Sequence, residues 1–196
     1  MFVLSSAKTL FVGLFLRIWL LLEKGGLRLV RVPNIKPSEK TLQVLDLLRE
    51  AYSEAEKRNI KVWLTGSWAI TARIGYFFKN IDDIDFTMRT REEEKRFASL
   101  LEGLGLVRKG DSPMGATRYV DSSSKTEVDF GSTTYPGTDF YQMPLDEGET
   151  GHLDGFEFRI APKQVSLDIY ERILFDKGRS VKADLIKIKL LTLHDR

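Results

Sequence analysis

The sequence predicts an α/β (α+β) fold: a mixed sheet with flanking helices and a C-terminal helical part. Three observations predict it. Helical and β-prone stretches alternate between Ser38 and Leu104, short β-prone runs separated by turn residues fill 106–160, and helical periodicity returns from Pro162 onward. With 196 residues, 42% of them hydrophobic and 30% charged, the chain can bury a real core and is not composed like a disordered one.

In chain order, residues 1–36 are expected to form an apolar helix and a linker ahead of a domain spanning 37–196. Leu10 to Leu22 is apolar except for Gly13 and Arg17. That run is shorter than the ~20 apolar residues a membrane-spanning helix needs. The first expectation is a helix docked on the body or on a second subunit. Membrane-surface contact through residues 7–24 comes second, and a cleaved signal third, since Lys8 alone makes a poor basic region. Gly25-Gly26 end the helix, Leu27–Val32 reads as an edge strand or extended linker, and Pro33 and Pro37 mark the boundary.

Ser38 is the expected N-cap of a helix that places Leu42, Leu45, Leu48, Tyr52 and Ala55 on one face, closed by Asn59. Ile60, Val62, Trp63 and Leu64 make a β-prone run that stops at Thr65-Gly66-Ser67. A helix of about three turns follows, ending near Gly75, and then a strand around Asp83–Asp85. Thr90 with Glu93 forms a capping box for a helix burying Phe97, Leu100, Leu101 and Leu104. Four β-prone runs come next (106–108, 116–120, 125–130 and 155–160), with a long Gly/Asp-rich loop from Gly131 to Asp154. Two helices close the chain, the second over Val181–Leu193.

The chemistry concentrates between Lys61 and Arg89. Side chains alternate faces along a strand, so Asp83 and Asp85 point one way while Ile84 and Phe86 point the other. Two like charges on one face repel, and neither has a cation close by in sequence. A divalent cation is their natural partner: Mg²⁺ takes oxygen ligands, commonly one or two carboxylates plus substrate phosphates. Gly66-Ser67, at a strand-to-helix turn, offers phosphate a close backbone approach, a hydroxyl and free N–H groups. As plain structure the pair is a tight turn and a helix cap, Trp68 is packing, and Asp82 is a solvated strand-start residue.

The run Gly66-Ser67-Trp68-Ala69-Ile70-Thr71, continued by Ile74-Gly75-Tyr76-Phe77-Phe78-Lys79-Asn80-Ile81-Asp82-Asp83-Ile84-Asp85, resembles the signature of the polymerase-β-like nucleotidyltransferases. It is most similar to the lincosamide and aminoglycoside 2''-adenylyltransferase type, over about residues 38–193. Three positions depart from that pattern: Thr71 replaces an acid, Lys79 an arginine, and Ile81 a histidine. The resemblance implies a nucleotidyltransferase fold in which Asp83, Asp85 and Asp129 hold two Mg²⁺ ions. Asp129 would serve as metal ligand or general base, with Glu127 as its substitute if the register is shifted. It further implies that Gly66, Ser67, Lys79 and Lys182 meet the phosphates of ATP or another NTP. Asp184 would cap or pair locally. By residue type alone Lys79 is a solvated surface lysine, and its match to the family's arginine favours triphosphate contact; Lys182 reads equally as a solvated residue beside Lys187 and Lys189.

The resulting expectation is Mg²⁺-dependent transfer of a nucleoside monophosphate, AMP from ATP, to a hydroxyl of a small-molecule acceptor over the 131–154 loop, releasing pyrophosphate in the cytoplasm. An acceptor on protein or RNA, as in toxin–antitoxin relatives, and a catalytically silent nucleotide-binding protein are the alternatives. A net charge of +2 gives no basic field to recommend nucleic acid. The absence of cysteine excludes disulfides and thiolate metal sites, and His152 and His194 do not have a transition-metal spacing.

Overall fold

The computed structural model describes residues 2–27, 30–111, 116–132, 149–173 and 180–193. The chain divides into two compact units, one of residues 34–162 and one of residues 1–33 together with 163–196. The C-terminal helices group with the N-terminal segment rather than with the sheet.

The sheet unit holds helices α2 (Glu39–Lys57), α3 (Gly66–Ile74) and α4 (Arg91–Gly103). Its strands are β1 (Trp63–Leu64), β2 (Asp83–Met88), β3 (Leu106–Asp111), β4 (Thr117–Asp121), β5 (Glu127–Ser132), β6 (Glu149–Leu153) and β7 (Phe156–Ile160). They form one mixed sheet in the order β3-β4-β5-β2-β1-β7-β6. The β2/β5 and β1/β7 pairs are parallel and the other neighbours antiparallel. An α+β mixed sheet with flanking helices is thus what the sequence pattern predicts.

Capping follows the sequence closely. The Ser38 hydroxyl accepts from the Thr41 N–H, and Thr90 with Glu93 makes the full capping box. Asn59, at φ +51°, turns the chain out of α2 in the left-handed region that asparagine tolerates. The buried face of α2 differs from the expected one in one respect: Leu42 is 43% exposed, and Thr41 and Val44 face inward instead. Thr41 has a polar reason to be there, because its hydroxyl accepts the Ile81 N–H at 3.1 Å while Asn80 Oδ1 accepts the Ser38 N–H at 2.9 Å. The start of α2 is thereby tied to the segment leading into β2. Leu104 is only partly buried, unlike Phe97, Leu100 and Leu101.

Ile84 and Phe86 of β2 and Val128 and Phe130 of β5 enter one apolar core with α2, α3 and α4. Phe97 of α4 stands edge-on to Phe86 (5.1 Å) and to Phe130 (5.2 Å), spanning the two parallel strands. Burying a phenylalanine is worth about 2 kcal/mol of transfer free energy, so this contact fixes β2 beside β5, where the acidic residues lie.

Two stretches differ from the sequence expectation. The 131–154 segment is not all loop: β5 runs to Ser132 and β6 occupies 149–153, while 133–148 lie outside the described residues. Gly151 is what lets β6 lie against α3, since a Cβ there would meet Ala72 Cβ at 2.8 Å. The described residues of 27–32 form no strand, which leaves the linker reading.

The second unit contains α1 (Phe2–Lys24), α5 (Lys163–Ile173) and α6 (Val181–Leu193). Leu16, Trp19, Glu23 and Val30 of its N-terminal part are buried, while Phe11, Leu14, Ile18 and Leu21 are exposed. Among the described residues no helix is long and apolar enough to cross a membrane.

Candidate active site

β2 and β5 run parallel with Asp83 opposite Glu127 and Asp85 opposite Asp129. The period-2 pattern of each strand therefore lines up across the pair. Four carboxylates lie on the side of the strands opposite Ile84, Phe86, Val128 and Phe130. Asp83, Asp85 and Asp129 are half-buried, and Asp82 is exposed just ahead of β2.

The turn into α3 meets β2 at Asp85. The Thr65 N–H donates to the Asp85 carbonyl at 2.9 Å. Gly66 sits at φ +62°, and a Cβ there would stand 2.1 Å from Asp85 Oδ2. Glycine is needed for two reasons, the left-handed backbone and a carboxylate in the space a side chain would fill. The sequence pattern suggests phosphate in that space; in the structure the Asp85 carboxylate occupies it. Thr65 is the N-cap of α3 but makes no side-chain capping hydrogen bond. The positive end of the helix dipole is therefore not answered by the cap residue's own side chain. Ser67 is buried in the first turn, and the Trp68 indole N–H donates to the Asp83 carbonyl at 2.8 Å. Trp68 is a packing residue, edge-on to Phe77, that also holds the β2 backbone.

Sequence reasoning missed Arg118. It lies on β4 directly opposite Asp129 and binds it with two parallel hydrogen bonds, Nε to Oδ1 at 2.8 Å and Nη2 to Oδ2 at 2.7 Å. Its Nη1 lies 3.0 Å from Glu127 Oε2. The hydrogen bonds to Asp129 are the main cause that pushes the guanidinium pKa above its usual value, with the charges of Asp129, Glu127 and Asp83 adding to it. The acids thus have a cation that sequence proximity could not reveal.

The described residues contain no group of three His, Cys, Asp or Glu side chains arranged to hold a metal ion. Asp129 is engaged by Arg118, so the structure aligns Asp83, Asp85 and Asp129 by register without drawing them into one ligand set. The donors nevertheless suit Mg²⁺. They are all carboxylate oxygens, and two of them on one strand suffice when phosphates complete the shell.

The remaining candidates are more dispersed. Lys79 is partly buried in the segment before β2. Ile81, at the motif position of a histidine, is a core residue with 1% exposure. Thr71, at the position of an acid, is fully buried with its hydroxyl unpaired. Lys182 is exposed in the first turn of α6, in the other unit. Asp184 pairs with Lys187 at 3.6 Å, the local pairing expected for it. Lys187 and Lys189 are not the solvated residues the charged helix suggested: Lys187 is buried over the Tyr170 ring and Lys189 binds Glu23. His152 lies 3.8 Å from Glu157, and His194 lies outside the described residues.

A family model described as aminoglycoside-2''-adenylyltransferase matches residues 47–150. Curated 2''-aminoglycoside nucleotidyltransferases of Klebsiella pneumoniae and Escherichia coli are 36% identical over 59 residues, 30% of this chain. The match spans 33% of the length of those relatives. Among solved structures, ANT(2'')-Ia in complex with adenylyl-2''-tobramycin aligns with a TM-score of 0.62 at 19% identity, over 76% of this chain and 87% of that one. The solution structure of ANT(2'')-Ia aligns at 0.60 and 20% identity, over 77% and 83%. Lincomycin-bound LnuA aligns at 0.54 and 20% identity, over 81% and 98%. At these identities the structural matches speak for the fold.

Proposed function

We propose a reaction for this chain, which belongs to the aminoglycoside-2''-adenylyltransferase family: transfer of AMP from ATP to a hydroxyl of a small-molecule acceptor, with release of pyrophosphate. The observation that carries it is the register of β2 against β5, which puts Asp83, Asp85 and Asp129 on one side beside the start of α3. The activities named for the curated relatives, and the adenylyl-2''-tobramycin and lincomycin bound by two structural neighbours, support an antibiotic-like acceptor.

In this reading Asp83 and Asp85 hold Mg²⁺, supplied as two ions with the nucleotide. Such ions can stabilise both the attacking and the leaving oxygen of an in-line displacement. Ser67 and the first N–H groups of α3 receive the phosphates, where a helix N-terminus favours an anion. Lys79 adds positive charge toward the triphosphate. Asp129 faces the acceptor hydroxyl and takes its proton, or shares one of the ions. The sheet unit, residues 34–162, carries Asp83, Asp85 and Asp129, and the reaction would take place in the cytoplasm.

The test is pyrophosphate release with tobramycin and lincomycin as trial acceptors, beside thermal melting with and without Mg²⁺ and ATP. Asp83→Asn and Asp85→Asn should each abolish release and the metal-dependent rise in melting temperature, while stability without metal stays level or rises. Asp129→Asn should abolish release and lower the rise less than Asp83→Asn or Asp85→Asn does. Full turnover in the Asp83 and Asp85 variants would overturn the proposal.

A further inference from the structure

We propose that Arg118 is a positioning residue that holds Asp129 in the nucleotide-free chain and passes to Glu127 when a divalent cation binds. The inference rests on the metal-dependent reading above and assigns roles to two residues outside it.

The geometry is that of a two-position clamp. Arg118 already touches both acids, with two nitrogens on Asp129 and the third 3.0 Å from Glu127. Asp129 and Glu127 lie two residues apart on β5 and so project on the same side, separated by about 7 Å along the strand. A planar fork with five N–H donors can trade one bidentate pair for the other by turning its last torsions. Exposure falls in the matching order, from 45% at the Glu127 side chain to 28% at Arg118 and 17% at Asp129.

Charge makes the movement necessary. A guanidinium seated on both oxygens of Asp129 competes with a divalent cation for the same negative charge. It cannot withdraw by losing its proton, because a guanidinium stays protonated in proteins. It has to move. Glu127 receives it without leaving either charge unpaired, whereas without Glu127 the guanidinium would keep only the field of Asp83. Asp83, opposite Glu127, is the nearest acid of the site across the strand pair, so the displaced cation remains within its field.

The experiment uses the full-length chain and Mn²⁺ alone. Affinity is read from the electron paramagnetic resonance of free Mn²⁺ and, independently, from the melting shift. Glu127→Gln should weaken Mn²⁺ binding about tenfold, because Arg118 stays on Asp129. Arg118→Met should tighten it by a similar factor, and Arg118→Lys should fall between that variant and wild type. The double variant Arg118→Met/Glu127→Gln should match Arg118→Met, because Glu127 then has no guanidinium to receive. Additive effects would mean that Glu127 acts only through its own charge and would overturn the handover, as would unchanged affinity in Arg118→Met. If Arg118→Met does not fold, Arg118→Lys alone and combined with Glu127→Gln complete the same cycle. A wild-type chain whose Mn²⁺ affinity is insensitive to Asp83→Asn would remove the metal reading itself. With that sensitivity present, an additive cycle removes only the handover.

Discussion

In the helical unit, Glu23 and Asp184 are sealed from water, their side chains 1% and 2% exposed, and each is held by a lysine of α6: Lys189 for Glu23 and Lys187 for Asp184. In the sheet unit, Glu127 and Asp129 keep 45% and 17% exposure and lean on the same arginine. The difference separates two uses of one residue type. A buried acid with its own lysine has no cheap alternative, since removing one partner strands the other in a low dielectric. Two partly wet acids on one guanidinium can redistribute it, because water and the second acid cover whichever is released. The first arrangement is architecture and the second suits a centre that must exchange partners.

The largest break in this comparison should come from Glu23→Gln. It removes the charge opposite Lys189 and should cost about 3 kcal/mol in urea unfolding. Glu127→Gln in the sheet unit should leave the melting temperature without metal nearly unchanged. Equal losses would mean that the sheet acids are structural too.

Next in size is Gly66→Ala. A left-handed backbone costs a side-chain-bearing residue about 1–2 kcal/mol, and here the new methyl also displaces the Asp85 carboxylate. Melting should fall and the Mg²⁺-dependent rise should disappear. Gly105→Ala is the control, with φ +86° and nothing within 4 Å of the added methyl. It should pay the strain and keep the metal response.

The smallest effect concerns an acid held by neutral groups. Asp121, at the end of β4, accepts from the Ser123 and Ser124 hydroxyls at 2.7 and 2.6 Å and from the Ser124 N–H at 2.7 Å. These hydrogen bonds, those from the two hydroxyls first, hold its pKa well below the usual carboxylate range. A depressed folded pKa adds stability that is complete above the unfolded value of about 3.9 and is lost as pH falls through the folded one. Asp121→Asn should therefore be less stable than wild type at about pH 6, with the gap closing below about pH 4. A gap that stays constant across that window would exclude the charge as its source.

Much of this was legible because it is local. The caps at Ser38 and Thr90, the left-handed stops at Asn59 and Gly75, and the alternation along β2 and β5 depend on residues a few positions apart. What escaped depends on which strand lies beside which. Arg118 reads as an ordinary residue of a β-prone run until β4 is paired with β5 in the register that sets it opposite Asp129. Lys189 reads as solvated because Glu23, which binds it, lies 166 residues away. Leu42 was assigned inward by its helical phase, whereas Thr41 is held there by the chain entering β2. The apolar N-terminal run gave no sign that it groups with α5 and α6.

The bond from Trp68 to the Asp83 carbonyl has an optical consequence. All three tryptophans are buried, with Trp19, Trp63 and Trp68 at 4%, 2% and 1% exposure, so the chain should emit at short wavelength. The guanidinium groups of Arg89 and Arg159 each stand 5.4 Å from the Trp63 ring. Only Trp68 is joined by a hydrogen bond to the backbone of a residue proposed to hold metal. Indole emission is sensitive to its N–H partner, and polarising the Asp83 peptide would alter that partner. The chain thus carries an intrinsic fluorophore attached to its candidate centre, with two others as background, and occupancy there can be followed in unlabelled protein.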